Sequence, residues 1–305
     1  MDAPVAACLM GGDRTREPKQ QLQAQGIPCY FDPARGIESL ATLAQYRDIR
    51  EREYAEPMSF DVDRERAREI LNTVRDRDDN RLGVEAMELL DAYGISTPAG
   101  EIVDTPERAA EVAADIDGDV VMKIVSPDIL HKSDIGGVAV GVGDDDVADT
   151  YEDLITRARN YQPDATVLGV QVQEMVDLDD GVETIVGMNR DPQFGPLLMF
   201  GLGGIFVEVM EDTTFRVAPV SEPEAREMTE EIQSAPLLRG ARGRDPVDVD
   251  AVVETIGRLS QLVTDFPAIL ELDINPLVAL PDADGDTNAA AVDVRLTVDP
   301  EELDP

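Results

Sequence analysis

The chain has 305 residues and a formal net charge of −38, from 64 acidic side chains against 26 basic ones. That surplus repels phosphate backbones and argues against a nucleic-acid partner. No apolar run is long enough to span a bilayer, and two cysteines, Cys8 and Cys29, are too few for a disulfide scaffold.

In chain order, residues 1–48 read as strand, helix, strand, helix. PVAACLM runs into Gly11-Gly12, a polar helix over 15–25 stops at Gly26, IPCYF is a short strand, and GIESLATLAQYRDI is an amphipathic helix. Two strands and two helices bury too little to stand alone, so this stretch is expected to be part of a larger α/β layer, completed elsewhere. The N-terminus lacks the basic flank of a secretory signal, and the expected location is cytoplasmic. Residues 51–80 are charge-rich (REREY, DRERARE, RDRDDN) and read as a connector with a solvated helix near 62–76.

A compact unit is expected over 81–305, with one subdomain at about 95–170. LGVEAMELLDAYG is a helix ended by Gly94, a strand follows at 99–103, and Thr105-Pro106 has the N-cap and N1 pattern of a helix start. Strands are expected at 119–125 and 136–142, then a helix to about 160 capped by Asp144 or Asp145. Further strands are expected at 166–175, 182–189, 196–201, 205–209 and 214–218, with helices over 221–233 and 248–264. The last strands fall at 268–273, 276–280 and 289–294. Mixed strands without regular βαβ repeats imply an α+β fold, with helices on one side of each sheet.

A P-loop, a Gly-x-Gly-x-x-Gly fingerprint and a Gly-x-Ser-x-Gly elbow are all missing. Gly201-Leu-Gly203-Gly204-Ile-Phe206 fails the second of these at its final position. His131 is the one histidine, which excludes a His-rich metal site. Three clusters remain. The first runs from Lys123 through Ser126, His131, Lys132 and Asp134 to Gly136-Gly137. It joins a β-branched strand end to a polar loop whose glycines let backbone approach a phosphate. Only three of the basic residues are lysines, at 19, 123 and 132, and two of them fall in this loop. Lysine is a compact point charge suited to phosphate, so its survival here marks the segment. The second cluster, Phe200 to Glu208, packs Gly201, Gly203 and Gly204 into a tight turn, suited to covering phosphates and equally the pattern of a glycine-rich hairpin. The third, Glu271-Leu-Asp273-Ile-Asn275-Pro276 with Asp293 beyond it, places Glu271, Asp273 and Asn275 on one face of a strand, an oxygen-only set suited to Mg²⁺.

Together, KIVSPDILHKSDIGGV, GVQVQEMV, RDPQFGPLLMFGLGGIFVEV and ELDINPL resemble, in this order, the ATP-grasp β part of NDP-forming acyl-CoA synthetases. These are the ADP-forming acetate–CoA ligases, relatives of succinyl-CoA synthetase. Residues 1–50 look like the C-terminal end of the flavodoxin-like or Rossmann-like CoA-ligase domain that precedes ATP-grasp in fused members. The resemblance implies an ATP-grasp fold, ATP or ADP with Mg²⁺ as cofactors, and CoA handled by an α part, expected as a hetero-oligomeric partner. It implies phosphoryl transfer through a phosphohistidine, with His131 at the position of the β-part histidine and Asp273 at the transfer end. Lys123, Gly136, Gly137, Gly203 and Gly204 match phosphate contacts, Gln173, Glu174 and Met175 the adenine hinge, Glu183 a ribose contact, and Asn275 and Asp293 the metal ligands. The competing reading is a nucleotide-binding subunit without catalysis.

The acid surplus with little lysine suits a cytoplasm of high salt, where at about 1 M the Debye length shrinks to about 3 Å. Raising KCl from dilute buffer to the molar range should lift the thermal unfolding midpoint by on the order of 10 °C. Equal midpoints at both salt levels, followed by circular dichroism, would exclude adaptation to salt.

Overall fold

The computed structural model describes residues 4–51, 55–76, 80–83, 85–129, 132, 135–176, 181–203, 212–241, 245–282 and 288–303. The chain divides into two compact units, residues 1–54 and 55–305. The first has the strand–helix–strand–helix order read from its sequence. Strands β1 (Ala7–Cys8) and β2 (Cys29–Tyr30) pair in parallel, joined by helix α1 (Arg16–Ala24) and followed by helix α2 (Pro33–Glu51). Gly26 takes a positive φ of 79° at the end of α1, where other residues would be strained. Gly36 is the one buried residue described in this unit, and it lies against Cys8 and Tyr30.

The second unit opens with an extended strap from residue 55 to 62. The Met58 amide donates to the Val220 carbonyl (3.0 Å), and Phe60 exchanges two backbone hydrogen bonds with the Gln261 amide. Asp63 then caps helix α3 (Arg64–Asn72) by accepting from the Arg66 amide. Strand β3 (Arg81–Leu82) and helix α4 (Glu85–Ala92) follow, with Gly94 (φ 69°) ending the helix as its sequence implied.

A four-stranded antiparallel sheet forms next, in the order β4 (Gly100–Val103), β7 (Gly169–Glu174), β5 (Val120–Val125), β6 (Val138–Val142). Helices α5 (Pro106–Ala114) and α6 (Val147–Tyr161) cover one face. Thr105 caps α5 by accepting from the Arg108 amide, with Pro106 at its first position. The cap expected of Asp144 or Asp145 on α6 differs in detail. Asp144–Asp146 forms a 3-10 turn and the α-helix starts at Val147. Val120, Met122, Ile124, Val170 and Val172 point at these helices and form a core of their own. The alternate residues Val121, Lys123, Gln171 and Gln173 therefore lie on the opposite face, which none of the described helices covers.

The larger sheet has the order β10 (Thr213–Val217), β9 (Gly195–Leu202), β8 (Val182–Asp191), β11 (Ile269–Ala279), β13 (Val294–Val298), β3, with β12 (Ala289–Ala291) also pairing β11, and every pairing is antiparallel. Helices α3, α4, α7 (Glu222–Glu231) and α9 (Val249–Asp265), with the single-turn α8 (Ala235–Leu238), cover one face. They enclose Val186, Met188, Leu198, Phe200, Leu272, Ile274 and Leu296 in the main core. Ser221 and Glu224 form a capping box on α7, and Asp248 caps α9 through the Ala251 amide.

Two expected strands, 268–273 and 276–280, are one. β11 runs straight through Asn275-Pro276, because the ladder shifts register between Ile274 and Leu277 and so needs no amide from the proline. Conversely, the single strand expected at 289–294 is split into β12 and β13. The strand expected at 205–209 lies outside the described residues.

Gly169 sits at φ 148° where β7 meets β4, and a Cβ there would run into the Val103 carbonyl. Gly169→Ala should cost about 1–3 kcal/mol, read as a lower urea midpoint at unchanged m-value. An unchanged midpoint would show that the strands yield.

Candidate functional site

The faces of the two sheets that none of the described helices covers carry Lys123 and Gln173 on one and Glu271, Asp273 and Asn275 on the other. On β5, alternation aims Lys123 away from the α5–α6 core, and its Nζ donates to the carbonyl of Val292, between β12 and β13 (3.2 Å). One lysine thus ties the smaller sheet to the segment that carries Asp293. Burial holds the Lys123 ammonium below its ordinary pKa. The Asp293 carboxylate pulls it back up, and the nearby Lys132 lowers it further.

Two backbone hydrogen bonds converge on Gly137, before β6. The Gly137 amide donates to the Lys132 carbonyl (2.7 Å), and the Ile124 amide donates to the Gly137 carbonyl (2.9 Å). A side chain at Gly137 would press on that Lys132 carbonyl. Gly136 has φ 66°, and its carbonyl accepts from Arg157 Nη1 of α6 (3.0 Å). Lys132 therefore stands on an anchored turn. His131 lies outside the described residues.

Gln173 is 1% exposed, and among the described residues neither its side-chain nitrogen nor its side-chain oxygen has a hydrogen-bond partner. Burying an amide without partners costs about 1–3 kcal/mol, so a site that keeps one is shaped for a polar ligand edge. Its neighbours Glu174 and Met175 are exposed at the end of β7, where the Glu174 amide donates to the Ala99 carbonyl (2.7 Å). Gln171, two residues back on the same face, pairs directly opposite Lys123 and belongs with this group. The Gln-x-Gln alternation next to the hinge was the available signal for it.

On the larger sheet, register pairs line up across five strands. Phe215 pairs with Met199, Met199 with Gly187, Gly187 with Asp273 and Asp273 with Arg295. Directly opposed residues share a face, so this row lies on the side away from the helices. Gly187 leaves a gap in it, since a Cβ there would sit 3.5 Å from Asp273 Oδ1 and 3.6 Å from the Met199 methyl. Asp273 is half-buried and its pKa is raised, first by burial. Glu271 and Asp293 add to the rise, and Arg295 opposes it. Arg295 went unnoticed in the sequence because only strand pairing brings it beside Asp273.

Glu271, Asp273 and Asn275 do share one face of β11, alternating with buried Leu272 and Ile274. The Asn275 backbone amide donates to the Asp293 backbone carbonyl (3.0 Å), so these two exposed, oxygen-bearing residues lie side by side in the chain fold. Among the described residues no three acidic, thiol or imidazole side chains gather to hold a metal by themselves. An amide oxygen and one carboxylate fit Mg²⁺, which keeps several waters and takes further ligands from substrate phosphates. At the other end of β8, the Gly203 amide donates to the Glu183 carbonyl (2.8 Å). A Cβ on Gly203 would stand 3.1 Å from the Glu183 backbone, so this approach requires glycine. Gly204 lies outside the described residues.

The ATP-grasp domain family matches residues 72–298. The ADP-forming acetate–CoA ligase I of Archaeoglobus fulgidus is 39% identical over 96% of this chain, and the match covers 42% of that protein. The β subunit of the ADP-forming acetate–CoA ligase I of Pyrococcus furiosus is 44% identical over 76% of this chain and 97% of its own length. Structures of the dinucleotide-forming acetyl-coenzyme A synthetase 1 of Ca. Korarchaeum cryptofilum also match. The complex with coenzyme A and Ca-AMPCP is 37% identical with a TM-score of 0.72, covering 76% of this chain and 99% of that one. The complex with coenzyme A and Mg-AMPPCP, whose phosphohistidine segment points towards the nucleotide-binding site, is 35% identical with a TM-score of 0.66 over the same shares. This chain thus spans less than half the length of the Archaeoglobus relative and nearly all of the Pyrococcus subunit.

If the Gln173 amide awaits a ligand, Gln173→Leu removes an unsatisfied group. It should hold or raise the stability of the free chain by about 1 kcal/mol, while the thermal upshift on adding ATP shrinks. A destabilised variant with an undiminished ATP shift would show that Gln173 serves packing alone.

Proposed function

The chain belongs to the ATP-grasp family, and on that footing we propose that it is the nucleotide-binding, phosphoryl-transferring portion of an ADP-forming acid–CoA ligase. The overall reaction is acyl-CoA + ADP + phosphate to acid + ATP + CoA. The observation that carries this reading is Lys123, a desolvated ammonium at the Val292 carbonyl beside Asp293, on the same sheet face as Gln173, whose side-chain amide has no partner among the described residues. An ammonium kept out of water gains most from a multiply charged anion.

Phosphoryl transfer is mainly positioning and charge neutralisation. Lys123 and Lys132, with the turn at Gly136 and Gly137, take the nucleotide phosphates from one side, and Gly203 and Gly204 cover them from the other. Gln173, Glu174 and Met175 line the base, and Glu183 reaches the ribose. Asn275 and Asp293 would hold Mg²⁺, which supplies further charge neutralisation when bound. His131 carries the phosphoryl group. With a proton on the other ring nitrogen, a β-phosphate oxygen of ADP attacks the phosphorus, the P–N bond breaks with its electron pair left on nitrogen, and the imidazole leaves neutral, keeping that proton. Asp273, whose burial disfavours its charge, stands at the transfer end with Arg295 as its counter-ion.

Formation of the acyl phosphate from the thioester, with CoA itself, belongs to an α part on the pattern of the fused Archaeoglobus and two-chain Pyrococcus relatives. The partner is then an α subunit in a hetero-oligomer. Among the described residues no helix is long and apolar enough to cross a membrane. The charge and the nucleotide chemistry are those of a cytoplasmic enzyme in high salt.

Incubating the chain with Mg²⁺ and γ-labelled ATP should leave acid-labile, base-stable label on the protein, lost in His131→Ala and reduced at least tenfold in Lys123→Met. Label that survives His131→Ala would move the nucleophile elsewhere. Bound ATP without label would favour a nucleotide-binding subunit that does not transfer.

A further inference from the structure

The strap over residues 55–62 is seated more closely than a connector requires. Three residues of α9 build the seat. At Gly257 a Cβ would stand 2.6 Å from the Met58 sulfur, so glycine is what admits the thioether. Gln261 is 8% exposed and uses both polar atoms of its side chain on the backbone of Phe60. Between them, the Arg258 guanidinium lies 4.3 Å from the centre of the Phe60 ring. Ordering a segment of this length costs backbone entropy, which these contacts offset. The strap also precedes the span that the ATP-grasp family matches, residues 72–298.

The same guanidinium reaches the end of α4, where backbone carbonyls run out of helical partners. Those of Leu90 and Asp91 are taken locally, by the amides of Ile95 (2.9 Å) and Gly94 (2.8 Å). The next two are taken from outside the helix. The Ala92 carbonyl accepts from the amide of Asp63, just beyond the strap (2.9 Å), and the Tyr93 carbonyl accepts from Arg258 Nη1 (2.8 Å). A Cβ on Gly94 would lie 2.5 Å from that Nη1, so the turn is shaped around the guanidinium. Arg258 also donates from Nε to Glu254 (2.8 Å). A planar fork can stack on a ring and donate along its edges at once, which an ammonium cannot.

From this turn the chain leaves for the four-stranded sheet. Ile95 belongs to the main core, and β4 begins at Gly100. Between them, the Ser96 carbonyl accepts from the amide of Ala291 (2.8 Å). Ala291 adjoins Val292, whose carbonyl receives Lys123. The two sheets have separate cores, so the stance of the lysine-bearing sheet depends in part on this crossing.

We propose that Arg258 is a positioning residue for the nucleotide site and that the strap controls it. With Met58 and Phe60 seated, Arg258 holds the Tyr93–Gly94 turn, and the turn sets where Lys123 meets the phosphates. With the strap lifted, the guanidinium loses the ring it stacks on, and the lysine-bearing sheet loses its fixed stance. The inference rests on the nucleotide reading above and adds a means of regulation to it.

The test uses the full chain, with MgADP binding followed by calorimetry and the strap followed by amide exchange. Arg258→Met should weaken MgADP about tenfold at a temperature where the variant is fully folded. Coupling between two sites is reciprocal, so saturating MgADP should slow exchange of the Met58 and Phe60 amides about tenfold in the unsubstituted chain. In Arg258→Met the same amides should not respond. Arg258→Lys keeps the charge without the fork and should behave as Arg258→Met does. An arginine that serves stability alone would lower the urea midpoint in Arg258→Met, yet leave the affinity of the folded molecules and the strap response unchanged. That result overturns the proposal. So does a strap that exchanges alike with and without MgADP, or full recovery in Arg258→Lys. A chain that binds no MgADP at all would overturn the nucleotide reading and this inference with it. Strap coupling without phosphate labelling would support the inference and strike only at phosphoryl transfer.

Discussion

The Lys123 ammonium crosses from the four-stranded sheet to the carbonyl of Val292, and the site depends on that crossing. Withdrawing a cation from water is costly unless something negative receives it. Here the receivers are a carbonyl and the Asp293 carboxylate, and each stands where strand pairing puts it. Val292 lies between β12 and β13, and the Asp293 carbonyl receives the Asn275 amide of β11. The charge balance of one side chain therefore requires two sheets, with separate cores, to meet along one line.

Much of this was legible in the sequence because it is periodic. Alternation on β5 and β7 separates core valines from Lys123 and Gln173, and alternation on β11 sets Glu271, Asp273 and Asn275 on one face. Caps were legible for the same local reason, as at Thr105 and Gly94. What escaped depends on register, which local pattern does not encode. The row from Phe215 to Arg295 joins residues as far as 108 positions apart between Gly187 and Arg295 only through antiparallel pairing. The passage of β11 through Pro276 escaped for a related reason, since a proline normally ends a ladder and only the register shift beside it explains its tolerance.

The two units solve different problems with different surfaces. The larger carries the heavy acid excess, and two of the chain's three lysines, Lys123 and Lys132, fall where the proposed nucleotide would place its phosphates. Elsewhere its arginines are spent on carboxylates, as in Arg216 with Glu227 and Glu231, or on carbonyls, as in Arg190 with Val263 and Ile269. Among its described residues the smaller unit buries Gly36 alone, and its eight acidic and seven basic side chains leave it near neutral.

The scarcity of lysine also makes the protein unusually simple as a target for amine chemistry. Lys19 lies exposed on α1, Lys132 is half-buried on its turn, and Lys123 is held below its ordinary pKa by burial. With so few side-chain amines, an electrophile attached to the phosphate of the proposed nucleotide would have Lys123 and Lys132 as its expected targets, and a single modified peptide would report which one it reached. The background of competing amines that blurs such footprinting in ordinary proteins is largely missing here.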